Sequence, residues 1–414
     1  MIEDKKSVPK RRFKEFNNAG DWEQRKLREL GESFEYGLNA AAMEFDGEHK
    51  YIRITDIDDS SRLFLDSDLT SPNIDLSNAD NYKLKYGDIL FARTGASVGK
   101  SYIYRDYDGL VYYAGFLIRA RIKKEFDPEF VFYNTLTNEY NQYIRITSQR
   151  SGQPGVNAQE YAEYEIKIPI YEEQVKIGAF MRQLDNLITL HQRKLEKIKN
   201  QKAAYLWEMF PQEGECVPKR RFAGFTEPWE QRKLRELINF IVDNRGKNPS
   251  YYCTEGIPVI DNYMIKNNEY PNLSEANRFI DEYLFENFIR KYNEKDDILI
   301  TLVGNGIGNI ALFPSTKSVI IQNTIGLRTD SNKRFLYYNL QSENKKIVLL
   351  DRGMAQPSIR QDELLDVNLF VPNRDEQDQI SEFFTNLDNL ITLHQRKLEK
   401  LQNVKKAFLN EMFI

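Results

Sequence analysis

The chain has 414 residues, a formal net charge of −4, 41% apolar and 29% charged residues, and 24 Tyr beside 25 Phe, which is material for two or three domains with sizeable cores. No stretch approaches the roughly 20 apolar residues of a membrane span, and the N-terminal MIEDKKSVPKRRF lacks the apolar segment of a secretory signal. Cys216 and Cys253 stand far apart without metal-ligand spacing, so no disulfide framework and no metal site are expected, and the expected location is cytoplasmic.

In chain order, VPKRRF at 8–13 comes first and WEQRKLREL at 22–30 second; both return unchanged, at 217–222 and 229–237. Strands are predicted over 51–57 and 88–91. The second of these runs into FARTGASVGKS at 91–101, a glycine-containing turn that would offer Arg93, Thr94, Ser97 and Lys100 to a ligand. A phosphate-loop reading of this turn fails on spacing. Walker A needs four residues between its first Gly and the Gly-Lys pair, and Gly95 and Gly99 enclose three. The loop RSGQPGVN at 150–157 adds Arg150 and Asn157, while Gln153 is assigned to shaping the junction that follows. Tyr112-Tyr113 and Tyr251-Tyr252 are expected in cores.

A long helix is predicted next. Pro169 precedes an acidic first turn, Glu172-Glu173, which suits the positive end of a helix dipole. Apolar or seam residues then recur in steps of three and four at Phe180, Leu184, Leu187, His191, Leu195, Ile198, Lys202, Tyr205 and Met209, close to a coiled-coil period. His191 is read as a polar residue that fixes register.

The second half repeats this order. A strand over 298–302 leads into ITLVGNGIGN, offering Thr301, Asn305 and Asn309, and Asn309 stands where Lys100 would align. RGMAQPSIR at 352–360 offers Arg352 and Arg360, with Gln356 as the counterpart of Gln153. Pro372 with Asp375-Glu376 opens a second long helix whose LDNLITLHQRKLEK at 387–400 is identical to 184–197. Its seam would run through Phe383, Leu387, Leu390, His394, Leu398, Leu401, Lys405, Phe408 and Met412. Fourteen identical residues at a period of just over 200 mark a duplicated half rather than a solenoid. Between the near-identical connectors the two globular segments diverge freely. A helix of about 40 residues is roughly 60 Å long and can act as a spacer; connectivity makes the pair antiparallel.

Two unlike segments of about 150 residues, duplicated long helices opening P-x-x-E-E-Q, and the D-I-L…G and Q-P landmarks together resemble the specificity subunits of type I restriction–modification systems, over essentially the whole chain. The resemblance implies a mixed α/β fold with an internal pseudo-two-fold repeat. Residues 1–167 would hold the N-terminal segment and first target-recognition domain, 168–212 the central helix, 213–370 the second target-recognition domain and 371–414 the C-terminal helix. It implies that each domain reads half of a bipartite, asymmetric site in double-stranded DNA, with an antiparallel coiled coil setting the spacer. It further implies two modification (methyltransferase) subunits and restriction (translocase/nuclease) subunits as partners. S-adenosylmethionine, ATP and Mg would sit on those partners, with no cofactor and no metal on this chain.

Charge tempers this expectation. Residues 20–165 hold 17 Lys and Arg against 25 Asp and Glu, so the chain alone should bind DNA weakly and partners should supply much of the phosphate grip. With only His49, His191 and His394 present, a Ser-His-Asp or Cys-His device has little to draw on, and no adenine-methyltransferase or helicase motif occurs. A non-catalytic sequence reader is the leading reading. A coiled-coil adaptor that binds only proteins is the alternative; it accounts for the helices but not for the divergent segments.

Overall fold

The computed structural model describes residues 7–149, 152–266, 269–289, 292–353 and 355–414. It has the mixed α/β class expected from sequence and divides into two compact units, Met1–Gln192 with Arg396–Ile414, and Arg193–Gln395. The long helices, Tyr171–Glu208 and Arg374–Met412, each contribute one half to each unit.

The first unit is built on a four-stranded antiparallel sheet in the order Gly31–Tyr36, Leu117–Ile122, Ile89–Ala92, Ser101–Ile103. Ile89-Leu90-Phe91-Ala92 is an unbroken apolar run because both of its faces are covered. Ile89 and Phe91 face the core completed by Phe130 and Tyr140, from the helices Pro128–Asn134 and Asn138–Thr147. Leu90 and Ala92 face a second core with Tyr102 and Tyr113, as strand alternation requires.

The second unit repeats the sheet as Phe240–Asp243, Thr324–Arg328, Ile298–Thr301, Ile310–Leu312. Ile298 and Ile300 face one core, and Leu299 faces another. In both units the repeated WEQRKLREL supplies a strand that pairs with the one before a long helix: Glu23–Lys26 with Glu165–Ile168, and Glu230–Lys233 with Asn368–Val371.

The strand expected over 51–57 is shorter, Lys50–Ile52, and pairs in parallel with Val111–Tyr113. The Asp56 carboxylate accepts from Arg53 N at 2.9 Å and from Arg53 Nε at 2.8 Å, turning the chain at Ile54–Asp56.

Within each unit the long-helix segments pack antiparallel. In the first, Phe180 meets Phe408 edge to face at 4.9 Å and Lys405 Nζ lies 2.6 Å from Asp185. In the second, Tyr205 meets Phe383 at 5.1 Å and Lys202 Nζ lies 2.7 Å from Asp388. Of the seam residues read from sequence, Leu184 and Leu195 are buried, and His191, Ile198, Leu387, His394, Leu398 and Leu401 are half-buried.

Leu187 and Leu390 are corrected: each is 44% exposed. The buried row runs Ile177, Met181, Leu184, Ile188, taking the step of four after Leu184 rather than three. An ordinary helix of 3.6 residues per turn drifts away from a strict heptad in this way.

Each helix pair is also anchored to a sheet core through one aspartate. Asp388 accepts from Lys202 Nζ and from the Tyr338 hydroxyl at 2.8 Å, and Asp185 accepts from Lys405 Nζ and from the Tyr133 hydroxyl at 2.8 Å. Lys202 and Asp388 expose only 12% and 8% of their side chains, so removing one partner strands the other in a poorly solvated position. Asp388→Ala is expected to destabilise the second unit by about 3 kcal/mol, and Lys202→Met with Asp388→Leu to recover most of that loss. Scanning calorimetry of the full chain checks this; a single variant that melts like the parent would remove the anchor from the account.

Candidate nucleic-acid interface

The repeated connectors build the frame that holds the sheets and their loops. In P-x-x-E-E-Q the glutamine turns back on its own proline: Gln174 Nε2 donates to Pro169 O and Gln377 Nε2 to Pro372 O, both at 2.9 Å. The glutamate between them is wholly buried at 0% exposure in both copies, Glu173 and Glu376. It receives a forked pair of hydrogen bonds from the last arginine of VPKRRF: Arg12 at 2.7 and 2.7 Å, Arg221 at 2.6 and 2.8 Å. These carboxylates hold both guanidiniums above the usual arginine range.

The preceding arginine reaches the far end of a long helix, Arg11 to Glu411 and Arg220 to Glu208, and its backbone N–H donates to the same glutamate's carbonyl at 2.8 Å in each copy. The N-terminal copy of the motif thus closes on the end of the second helix as the internal copy closes on the first. The acidic first turn also suits the helix dipole; in the sequence, the partnership of these glutamates with VPKRRF shows only in the two motifs being repeated together.

The D-I-L landmark has a similar basis. Asp88 is buried, capped by Lys85 N at 2.8 Å and gripped by Arg121 at 2.8 Å through both carboxylate oxygens. Asp297 is buried likewise, with Glu294 N at 2.8 Å, Arg328 at 2.9 Å and Lys333 at 3.0 Å. A carboxylate in this position fixes the strand that delivers each turn.

Both units then join the two loops singled out in sequence. Gly95 N donates to Pro154 O at 3.0 Å and Val156 N to Arg93 O at 2.9 Å. In the second unit Gly304 N donates to Pro357 O at 2.9 Å and Ile359 N to Leu302 O at 2.8 Å. Gly95 and Gly304 adopt φ of +74° and +86°, left-handed values that glycine accepts without strain. Gln153 and Gln356 lie directly over these glycines.

At this paired-loop end Arg93 is half-buried, its guanidinium 5.0 Å over the Tyr36 ring. Thr94 and Ser97 are half-buried in the turn, and Asn157 is exposed but caps the helix Ala158–Ala162, accepting from Glu160 N at 2.9 Å. Lys100 turns inward instead, its Nζ donating to Ile57 O at 3.0 Å and pairing with Asp59 at 2.5 Å. Arg150 lies outside the described residues.

In the second unit Asn305 and Arg360 are exposed, and Arg352 is exposed while pairing with Glu363 at 3.0 Å. Asn309 Nδ2 donates to Ile265 O at 2.7 Å, and Thr301 is wholly buried in its strand. Tyr112 and Tyr113 are core residues as expected, whereas Tyr251 and Tyr252 are 45% and 37% exposed, the latter under Arg278 at 4.9 Å.

Further cations stand beside the turns that sequence reading did not select. The helix Asn138–Thr147 packs on Gly99 through the Tyr140 hydroxyl, 2.9 Å from Gly99 O, and carries exposed Arg145. In the second unit Asn344–Val348 packs on Gly308 through Asn344 Nδ2, 2.5 Å from Gly308 O, and carries exposed Lys345 and Lys346. Their signal was the position of a short amphipathic helix in both halves.

Among the described residues no group of three or more His, Cys, Asp or Glu is placed to hold a metal ion, and no helix is long and apolar enough to cross a membrane.

The family model for the type I restriction modification DNA specificity domain matches twice, at residues 19–200 and 226–403. Among curated proteins, a putative type I restriction enzyme MjaX specificity subunit of Methanocaldococcus jannaschii is 24% identical over 407 residues, covering 94% of this chain and 92% of the relative. The MjaVIII specificity subunit of the same organism is also 24% identical, covering 94% of this chain and 91% of that protein. In fold, the chain is similar to the S subunit of a type I restriction-modification system from M. genitalium, with a TM-score of 0.67 at 15% identity over 98% of this chain and 99% of the other. With both halves matched, the chain belongs to the type I restriction–modification DNA specificity family.

Proposed function

We propose that this chain selects the DNA sequence on which a type I restriction–modification complex acts, each unit's paired-loop end reading one half of a split, asymmetric site. The observation that carries this reading is the contrast between frame and loops. The same Arg–Glu forks, Asp-anchored strands and glycine turns recur in both units, while the side chains they present differ: half-buried Arg93, Thr94 and Ser97 with exposed Asn157 in one, exposed Asn305, Arg352 and Arg360 in the other. Major-groove edges offer a distinct donor and acceptor pattern for every base pair, and Arg, Asn, Ser and Thr are side chains that read such patterns. A constant frame with exchangeable loop residues is what a change of sequence preference requires. An adaptor that binds only proteins has no use for that contrast.

As a specificity subunit the chain chooses a sequence and leaves the chemistry to its partners. In the proposed assembly, in the cytoplasm, two modification subunits with S-adenosylmethionine flank it, and restriction subunits add ATP and Mg. The long helices would set the gap between half-sites. Because the first reader is net acidic, partner subunits supply much of the phosphate contact.

Three measurements test this. Replacing residues 30–150 with the reader of another family member should change one half of the methylated motif and leave the other intact when host DNA is profiled. Inserting four residues, about one helical turn, near Lys199 should alter or abolish the split motif; an unchanged spacing would sink the spacer role. Asn157→Ala should cost about 1 kcal/mol through the lost cap. Asn157→Asp keeps the cap but not the amide donor, and should weaken cognate-site binding by the ~1–3 kcal/mol of a base contact. Parental affinity in the Asp variant would restrict Asn157 to capping.

A further inference from the structure

The first unit contains a cavity of about 330 Å³ between its recognition domain and its helix pair. The recognition domain contributes the turn ending in Arg62, together with Asn141; the first helix contributes Gln192, and the second Gln402, Lys405 and Lys406.

The charges on its walls do not balance. Asp59 is held by Lys100 Nζ at 2.5 Å, and Asp185 by Lys405 Nζ at 2.6 Å and the Tyr133 hydroxyl at 2.8 Å. The remainder is cationic: the Arg62 guanidinium and the Lys406 ammonium, neither of which makes a side-chain hydrogen bond or ion pair among the described residues.

The fold holds Arg62 in place at a backbone cost. Its φ is +60°, a left-handed conformation uncommon for a side chain of this size. Arg62 N donates to Asp58 O at 3.1 Å, and Asp58 Oδ1 accepts from the hydroxyls of Ser60 and Ser61 at 2.8 and 2.7 Å, which shapes the turn. Burial pulls the guanidinium below the usual arginine range despite the opposing fields of Tyr140, Asp59 and Asp58.

The internal repeat supplies a comparison. The helix blocks are identical over 184–197 and 387–400, but just beyond them Gln402 and Lys406 replace what are Lys199 and Ala203 in the first helix. The second lysine of the cavity is therefore a departure from the duplicated pattern.

We propose that this cavity binds a small molecule bearing a phosphate monoester, with Arg62 donating in a fork to two phosphate oxygens, Lys406 supplying the second charge, and the amides of Asn141, Gln192 and Gln402 donating at the rim. Two cations without a hydrogen-bonded counterion among the described residues suit a phosphate, and forked guanidinium–phosphate pairs are among the stronger hydrogen bonds proteins make. The volume suits a ligand no larger than a nucleotide. Such a ligand touches the recognition domain and both helices at once, so its occupancy couples to the domain's stance on the helices. That coupling rests on the sequence-reading function proposed above; the binding does not.

The test is isothermal titration of the full chain, without DNA, using inorganic phosphate and AMP as probes at constant ionic strength. Saturable binding at one site is expected, weakened about tenfold or more in Arg62→Gln and in Lys406→Ala. Lys406 is exposed and has no partner among the described residues, so its variant should keep the parental melting temperature. Absence of saturable heat up to about 10 mM of either probe, or equal affinity in parent and Lys406→Ala, overturns the site. A duplex oligonucleotide that displaces AMP and itself loses affinity in Lys406→Ala would assign the cavity to a DNA backbone phosphate and overturn the small-molecule proposal. Because no sequence readout enters, failure here leaves the proposed recognition function standing.

Discussion

One carboxylate in each unit ties its own long helix to two other elements. Asp185 and Asp388 lie in the identical helix block, and each accepts a phenol from the sheet-packed helix of its recognition domain and an ammonium from the opposing long helix. Such a shared acceptor cannot be shifted along either helix without leaving a lysine and a tyrosine unpaired in a poorly hydrated place, and that penalty is several times the worth of an exposed pair. Hydrophobic seams tolerate sliding because apolar contacts are non-directional. The aspartate is what gives the helix pair a single register and ties that register to the recognition domain.

A second set of polar locks does the same for the ends of the helices. Glu173 and Glu376 are completely buried and are satisfied by the forked donors of Arg12 and Arg221. An unpaired buried carboxylate would be costly, so VPKRRF and P-x-x-E-E-Q must be inherited together, and both copies keep both partners. The paired loops carry no comparable obligation. They are tied down by backbone hydrogen bonds around Gly95 and Gly304, which constrain conformation and leave the neighbouring side chains free to vary. A stiff, chemically specified scaffold with backbone-held loops permits divergence at one end without loss of fold.

How much of this was legible in the residues differs by interaction type. Repetition exposed the frame, and the apolar runs around Ile89 and Ile298 located the central strands because a strand covered on both faces must be apolar throughout. The candidate site was legible only as loops. Arg93, Asn305, Arg352 and Arg360 stand exposed or half-exposed at the paired-loop ends, but Lys100 and Thr301, next to them in sequence, point into the protein. A turn flips side chains from one side to the other over one or two residues, and spacing within a glycine-rich stretch does not say which way each one faces.

The sequence by itself determined the duplication, the two long helices and the separation of constant connectors from variable segments, because these are properties of identity and period along the chain. The tertiary structure decided which residues of the seam are buried, turning Leu187 and Leu390 outward and Ile188 inward, since a helix drifts from a heptad by a fraction of a turn that only packing resolves. It alone brought Arg12 to Glu173 and Lys405 to Asp185. Pairings between residues more than a hundred positions apart leave no local pattern, so they become visible only when the chain has closed upon itself.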